Sequence, residues 1–133
     1  MAFVADNSVI IAWLTESQAN AHTRRLFMRA QRETVHVPAL WPFELVNTLW
    51  VMQRRDIMWP HQVDATLAQA QRFGIVVDAE PFKQTALLAV ARRSGLLAYD
   101  AAYVELAERR GLPLATRDRA MRLAAQRAGV ALV

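Results

Sequence analysis

Four acidic residues stand in apolar surroundings where charge is expensive. Asp6 closes the apolar run Phe3-Val4-Ala5, and Glu44 lies just after Pro42 in Trp41-Pro42-Phe43-Glu44-Leu45-Val46. Asp100 interrupts Leu96-Leu97-Ala98-Tyr99-Asp100-Ala101-Ala102-Tyr103, and Asp118 follows Leu114-Ala115-Thr116-Arg117. A carboxylate directly after a buried strand costs free energy unless it is paired or bound to a cation. Carboxylates gathered in one place repel, and their pKa values rise unless a cation neutralises them. An all-oxygen acidic set suits Mg²⁺ or Mn²⁺ rather than zinc. The chemistry such a set supports is hydrolysis of a phosphate ester: a dication lowers the pKa of a bound water and offsets charge on the transition state.

Each acid also has a local explanation. Asp100 and Asp118 are favoured helix N-caps, Glu44 falls at the third position of a helix opened by Pro42, and Asp6 can cap the helix that follows it. The other acids, Glu16, Glu33, Asp56, Asp64, Asp78, Glu80, Glu105 and Glu108, lie beside polar neighbours or Arg and read as solvated surface. Ser8 and Thr116 flank two of the four at a spacing of two, where they can hold a water or phosphate oxygen or simply cap locally. Asn47, three residues after Glu44, shares its helix face. His22, His36 and His61 have no metal-ligand spacing and read as structural, and with no Cys there is no thiolate zinc site, Cys nucleophile or disulfide.

Short apolar runs alternate with helical patterns. Strands are expected at 3–5, 35–37, 75–77, 112–115 and 130–133. Helices are expected at 8–14, 18–32, Pro42 to Arg55, from Pro60, from Pro81 to Gly95, from Asp100 to Gly111, and from Asp118 to near Gly129. Strands alternating with helices predict an α/β fold with a parallel sheet covered on both faces, and strands apolar throughout fit that burial. In such sheets ligands bind outside the carboxyl ends of the strands, where strand order reverses. Asp6, Glu44 and Asp118 all follow strands, so they share that edge, and helix N-termini there favour an anion such as phosphate.

The chain is 133 residues long, 54% hydrophobic and 21% charged, which suits one domain over 1–133 and rules out a disordered or low-complexity chain. The longest stretch without a charged residue, Thr34 to Phe43, is too short to cross a membrane, and the N-terminus lacks a basic leader. A cytoplasmic protein is therefore expected. Lys and Arg number 16 against 12 acids, and Lys83 is the only Lys. An Arg-rich chain with pI ≈ 10.6 makes nucleic acid the first partner to consider.

Taken together these segments resemble the PIN domain. Val4-Ala5-Asp6-Asn7-Ser8-Val9 is similar to its opening, and Pro38-Ala39-Leu40-Trp41-Pro42-Phe43-Glu44-Leu45-Val46-Asn47 to its second acidic motif. Tyr99-Asp100-Ala101-Ala102-Tyr103 is similar to the third and Leu114-Ala115-Thr116-Arg117-Asp118-Arg119 to the fourth, in order and across essentially the whole chain. The nearest likeness is to VapC-type toxins of toxin–antitoxin pairs. The resemblance implies a three-layer α/β/α sandwich with a parallel five-stranded sheet in the order 3-2-1-4-5, bringing Asp6 beside Asp118. It implies a Mg²⁺- or Mn²⁺-dependent endoribonuclease with Asp6 and Asp100 as metal ligands. Glu44 would be a ligand or general base, and Asp118 a further acid holding metal or water. It further implies an RNA substrate, a homodimer and a VapB-like antitoxin whose C-terminal segment places a basic side chain near the acids. The likeness departs at Arg119, Ala120, Met121 and Arg122, where many relatives carry another acid, so a second firmly held metal does not carry over.

Two other functions fit parts of the pattern. An aspartate-nucleophile phosphatase would use Asp6, but Ser8 stands where its second Asp belongs. A non-catalytic nucleic-acid-binding module of the same fold has no need of all four acids. The helix from Pro42 to Arg55 carries Leu45, Val46, Leu49, Trp50 and Met52 around most of its circumference and is expected to be buried all round, in the core or in a homodimer. The segment 42–71, with Trp50, Met52, Met58 and Trp59, is the expected grip for a partner helix.

Overall fold

The structure is a computed structural model that describes residues 1–80 and 82–133, with Glu16 described by its backbone only. Its elements are β1 (Ala2–Ala5), α1 (Asn7–Leu14), a 3₁₀ turn (Glu16–Gln18), α2 (Ala21–Ala30), β2 (Thr34–Val37), α3 (Trp41–Arg54) and α4 (Pro60–Arg72). They continue with β3 (Ile75–Val77), α5 (Gln84–Ser94), α6 (Ala98–Arg110), β4 (Leu114–Ala115) and α7 (Arg119–Arg127). All strand pairs are parallel and the order is β3-β2-β1-β4, so chain order reverses between β1 and β4.

The two-residue period of the strands sorts the core into two halves. Phe3, Ala5, Val35 and Val37 face α1 to α4, packing with Val9, Ile10, Leu26, Leu45 and Leu49. Val4 and Leu114 face the opposite way, onto Val104, Leu106, Met121 and Ala125 of α6 and α7. The expected α/β/α sandwich is therefore present.

The fifth strand is not. Residues 130–133 contribute a single bridge, Leu132 to Leu114, because β4 is only two residues long and offers no longer ladder. Helix α2 is shorter than 18–32, since Asn20 caps it in a reciprocal pair with Thr23 and leaves Ala19 outside. The expected start of α5 at Pro81 lies outside the described residues, and α5 itself begins at Gln84. Helix α6 begins at Ala98 with Leu97 as N-cap, so Asp100 is inside the first turn and caps nothing. Gly95 and Gly111 end α5 and α6 in left-handed conformation, with φ of 74° and 63°, as the sequence predicts. No helix among the described residues is long and apolar enough to cross a membrane.

Helix α3 is not buried all round in the core of a single chain, the first of its two expected settings. Trp41, Leu45, Leu49 and Met52 are buried, but Phe43, Val46 and Trp50 face outward, Trp50 at 50% exposure. The helix is one-sided in the core, and its outer face is an apolar groove of about 440 Å³ lined by Pro42, Phe43, Val46, Asn47 and Trp50.

Candidate functional site

The site forms where β1 and β4 part. The Asp6 backbone N–H donates to the Ala115 carbonyl at 3.0 Å, the last bond before the two chains diverge. Asp6 is 4% exposed, and three donors hold its carboxylate. Oδ1 accepts from Val9 N–H at 3.1 Å and from Ser8 Oγ at 2.7 Å, and Oδ2 accepts from Thr116 Oγ1 at 2.5 Å. Asp6 thus caps α1 and still turns one oxygen toward β4.

Thr116 is the hinge between two acids. Its hydroxyl donates to Asp6 and accepts from the Asp118 N–H at 3.0 Å. Asp118 caps α7, accepting from Met121 N–H at 2.8 Å through Oδ1, and is itself exposed. Asp6 and Asp118 each cap a helix and also line the same cavity. A cap engages an oxygen's lone pair without removing the charge.

Glu44 reaches in from α3 and Asp100 from α6, both half-buried. Tyr103 Oη donates to Glu44 Oε1 at 2.6 Å. With Ser8, Thr48, Tyr103 and Arg117, the four acids line one cavity of about 570 Å³. Asn47 does not join them, since it is exposed on the outer groove of α3; the next residue, Thr48, turns inward instead.

The charges feel one another. Burial pushes the Asp6 carboxyl up, against the bonds from Thr116, Ser8 and Val9, and the Asp100 charge pushes it further. Glu44 is raised first by burial, with the Tyr103 bond opposing and the Asp100 and Asp6 charges adding. Asp100 is raised by burial and then by Asp118. Such a set is short of positive charge. Arg117 also lines the cavity, and its Nη1 donates to the carbonyl of Gln18, another lining residue, at 3.0 Å.

The residues fit a hard dication in charge and donor type, offering carboxylate and hydroxyl oxygens only. The acids surround the cavity rather than converge: among the described residues no three acids or histidines are already drawn together as a metal cluster. Asp6 keeps a free lone pair on Oδ2, since Thr116 takes only one.

Sequence reasoning singled out Ser8 and Thr116 but not the Tyr103 hydroxyl that orients Glu44, and it misread two other carboxylates. Asp78 and Glu105 are not solvated surface; they are 5% and 6% exposed and sit against arginines. Arg109 bonds Asp78 at 2.6 Å, Glu105 at 2.8 Å and Glu80 at 3.1 Å, and Arg110 bonds Asp78 at 2.8 Å. The Arg109-Arg110 pair beside Glu105 was the available signal, but Asp78 lies too far away in sequence to be linked to it. His22 is structural as expected, its Nε2 lying 3.1 Å from the Val133 carbonyl.

Comparison with known proteins agrees with this geometry. Residues 3–126 match the PIN domain family. The chain is 30% identical over 121 residues to "Ribonuclease VapC3" of Pyrobaculum aerophilum, covering 90% of this chain and 91% of that protein. It resembles the crystal structure of PAE2754 from Pyrobaculum aerophilum with a TM-score of 0.72 and 26% identity, over 93% of this chain and 87% of the other. It resembles a chain of VapBC2 from Rickettsia felis, crystallised with a DNA fragment from their promoter, with a TM-score of 0.65 and 12% identity, over 100% and 98% of the two chains.

Proposed function

On the premise that the chain belongs to the PIN-domain family, as the match over residues 3–126 establishes, we propose that it is a metal-dependent endoribonuclease acting as the toxin of a toxin–antitoxin pair. The observation that carries this reading is the cavity at the switch point of the sheet, lined by Asp6, Glu44, Asp100 and Asp118. The curated relative named a ribonuclease supports the reaction class. Residues 1–133 form its one domain, acting in the cytoplasm.

Asp6 and Asp100 are the residues that would hold Mg²⁺ or Mn²⁺. The bound ion lowers the pKa of a water and offsets charge building on the scissile phosphate. Asp6 is held rigid for this task by Ser8, Val9 and Thr116, so little side-chain freedom is lost when it binds. Glu44 and Asp118 face the same space and orient the attacking water, and Glu44, raised by its surroundings, is the better proton acceptor. Arginines near the rim hold the RNA backbone, which supplies position rather than sequence.

Calorimetry tests the metal site. Mn²⁺ should bind wild type and bind Asp100→Asn about 10–100-fold more weakly. Equal affinities would remove Asp100 from the ligand set.

The outer face of α3 supports the partner reading. Phe43, Val46 and Trp50 expose apolar surface that a single copy leaves in water, on the same helix that carries Glu44. A homodimer and a VapB-like antitoxin are the proposed partners for α3 and α4, the antitoxin placing an Arg or Lys toward Asp6 and Asp100. The likeness to VapBC2 supports the antitoxin. Light scattering at micromolar concentration should give twice the chain mass, and Trp50→Ala should shift it toward the single chain. Retention of partner affinity by both Trp50→Ala and Trp59→Ala would exclude this groove for the antitoxin.

A further inference from the structure

We propose that Tyr103 is a positioning residue for RNA cleavage: its buried hydroxyl pins the Glu44 carboxylate over the acid cavity. The inference rests on the ribonuclease reading above and names a residue that reading does not use.

The geometry joins three helices at one point. Tyr103 lies on α6 three residues after Asp100, on the same helical face, and is 1% exposed. Its Oη donates to Glu44 Oε1 on α3 at 2.6 Å. Asn7 makes a second tie to the same helix, its Nδ2 donating to Thr48 Oγ1 at 3.0 Å, one turn beyond Glu44. The hydroxyl is thereby engaged by a carboxylate on a second helix, which α1 also holds through Asn7.

Glu44 needs this. A Glu side chain loses rotamer freedom when it is fixed, and its neighbours in the cavity, Asp6 and Asp100, repel it. A short bond to a carboxylate is among the stronger hydrogen bonds available to a neutral donor. Tyr103 engages Oε1 only. Oε2 accepts no side-chain bond among the described residues and is the Glu44 oxygen left to take a proton. Burial and the Glu44 charge both push the phenol upward, so it stays a donor across the working pH range.

A packing role alone would be met by the ring, so Tyr103→Phe separates the two. Cleavage of a fluorogenic oligoribonucleotide should show kcat lowered about tenfold in Tyr103→Phe with KM within about twofold, and no further loss when Tyr103→Phe is added to Glu44→Gln. A spectroscopic arm leaves Tyr103 in place. In a Tyr99→Phe background, Glu44→Gln should shift the near-ultraviolet tyrosine band, because the acceptor changes from a charged to a neutral oxygen. An unchanged kcat in Tyr103→Phe, full multiplication of the two losses, or an unshifted band each overturns the inference while leaving the ribonuclease reading standing. Wild-type protein that cuts no RNA overturns that reading and the inference with it.

Discussion

Asp6→Asn protein should cut RNA on the order of 10³ times more slowly than wild type, while melting within a few degrees of it. The activity loss follows from charge. Asp6 is the most buried of the four acids and the only one whose two oxygens are both fixed by neighbours, so it is the carboxylate best prepared to grip a dication. An amide in its place keeps the shape but supplies one neutral oxygen instead of an anionic pair.

The small stability change is a separate argument. Asn can keep its oxygen on Val9 N–H and Ser8 Oγ, which preserves the cap on α1. Its NH₂ then faces Thr116 Oγ1, which must turn from donor to acceptor. Thr116 has somewhere to send its proton, since Met121 Sδ lies 3.8 Å away. Against that rearrangement stands the relief of a buried charge that Asp100 repels. Cleavage assays beside thermal melts decide the matter, and a folded Asp6→Asn protein with the wild-type rate would remove Asp6 from the reaction.

What the sequence made legible, it did through strand ends. Asp6 and Asp118 could be placed together because each follows an apolar strand, and strand ends in a parallel sheet share one edge. Asp100 was recognisable as out of place in an apolar run, yet its role was blurred by the assumption that it opened its helix. Leu97 opens it instead, since an extended backbone suffices there without a side-chain bond. The orienting hydroxyl of Tyr103 was harder to see. Tyr103 sits within a motif visible in the sequence, but its partner Glu44 is 59 residues away, and only the packing of α3 against α1 and α6 brings them together. The last strand failed for a plain reason. An apolar run such as 130–133 marks burial, and burial at a sheet edge does not require a ladder.

Arg109→Ala should destabilise the fold by about 2 kcal/mol, or roughly 6–10 °C in melting temperature at neutral pH. Arg109 bonds Asp78 just after β3, Glu105 one turn back on α6, and Glu80, so one guanidinium ties α6 to the chain leaving the edge strand. Breaking a buried ion pair costs about 3–5 kcal/mol, and the lower figure expected here reflects the partial exposure of Arg109 and the retention of Arg110 on Asp78. The pH dependence carries the sign. Burial alone would raise Asp78, but the bonds and charges of Arg109 and Arg110 outweigh it and hold the carboxyl below its ordinary 3.8. Its contribution is therefore full above that value and is lost as pH falls through the lower folded-state value. The cavity acids behave oppositely. Asp6, Glu44 and Asp100 are raised, so metal-free protein is least favoured above their folded-state values and gains stability as pH falls toward the ordinary 3.8 and 4.5. Metal-free wild type should thus melt higher at mildly acidic pH than at neutral pH, then decline below the ordinary Asp value as Asp78 is protonated. In Arg109→Ala the acidic decline should shrink, because Asp78 has lost one of its two cations. The deficit relative to wild type should accordingly be largest at neutral pH. Melting curves from neutral to strongly acidic pH on both proteins, with chelator present, read this directly. A deficit that stays constant across the range would show that Arg109 stabilises through packing of its stem rather than through its charge.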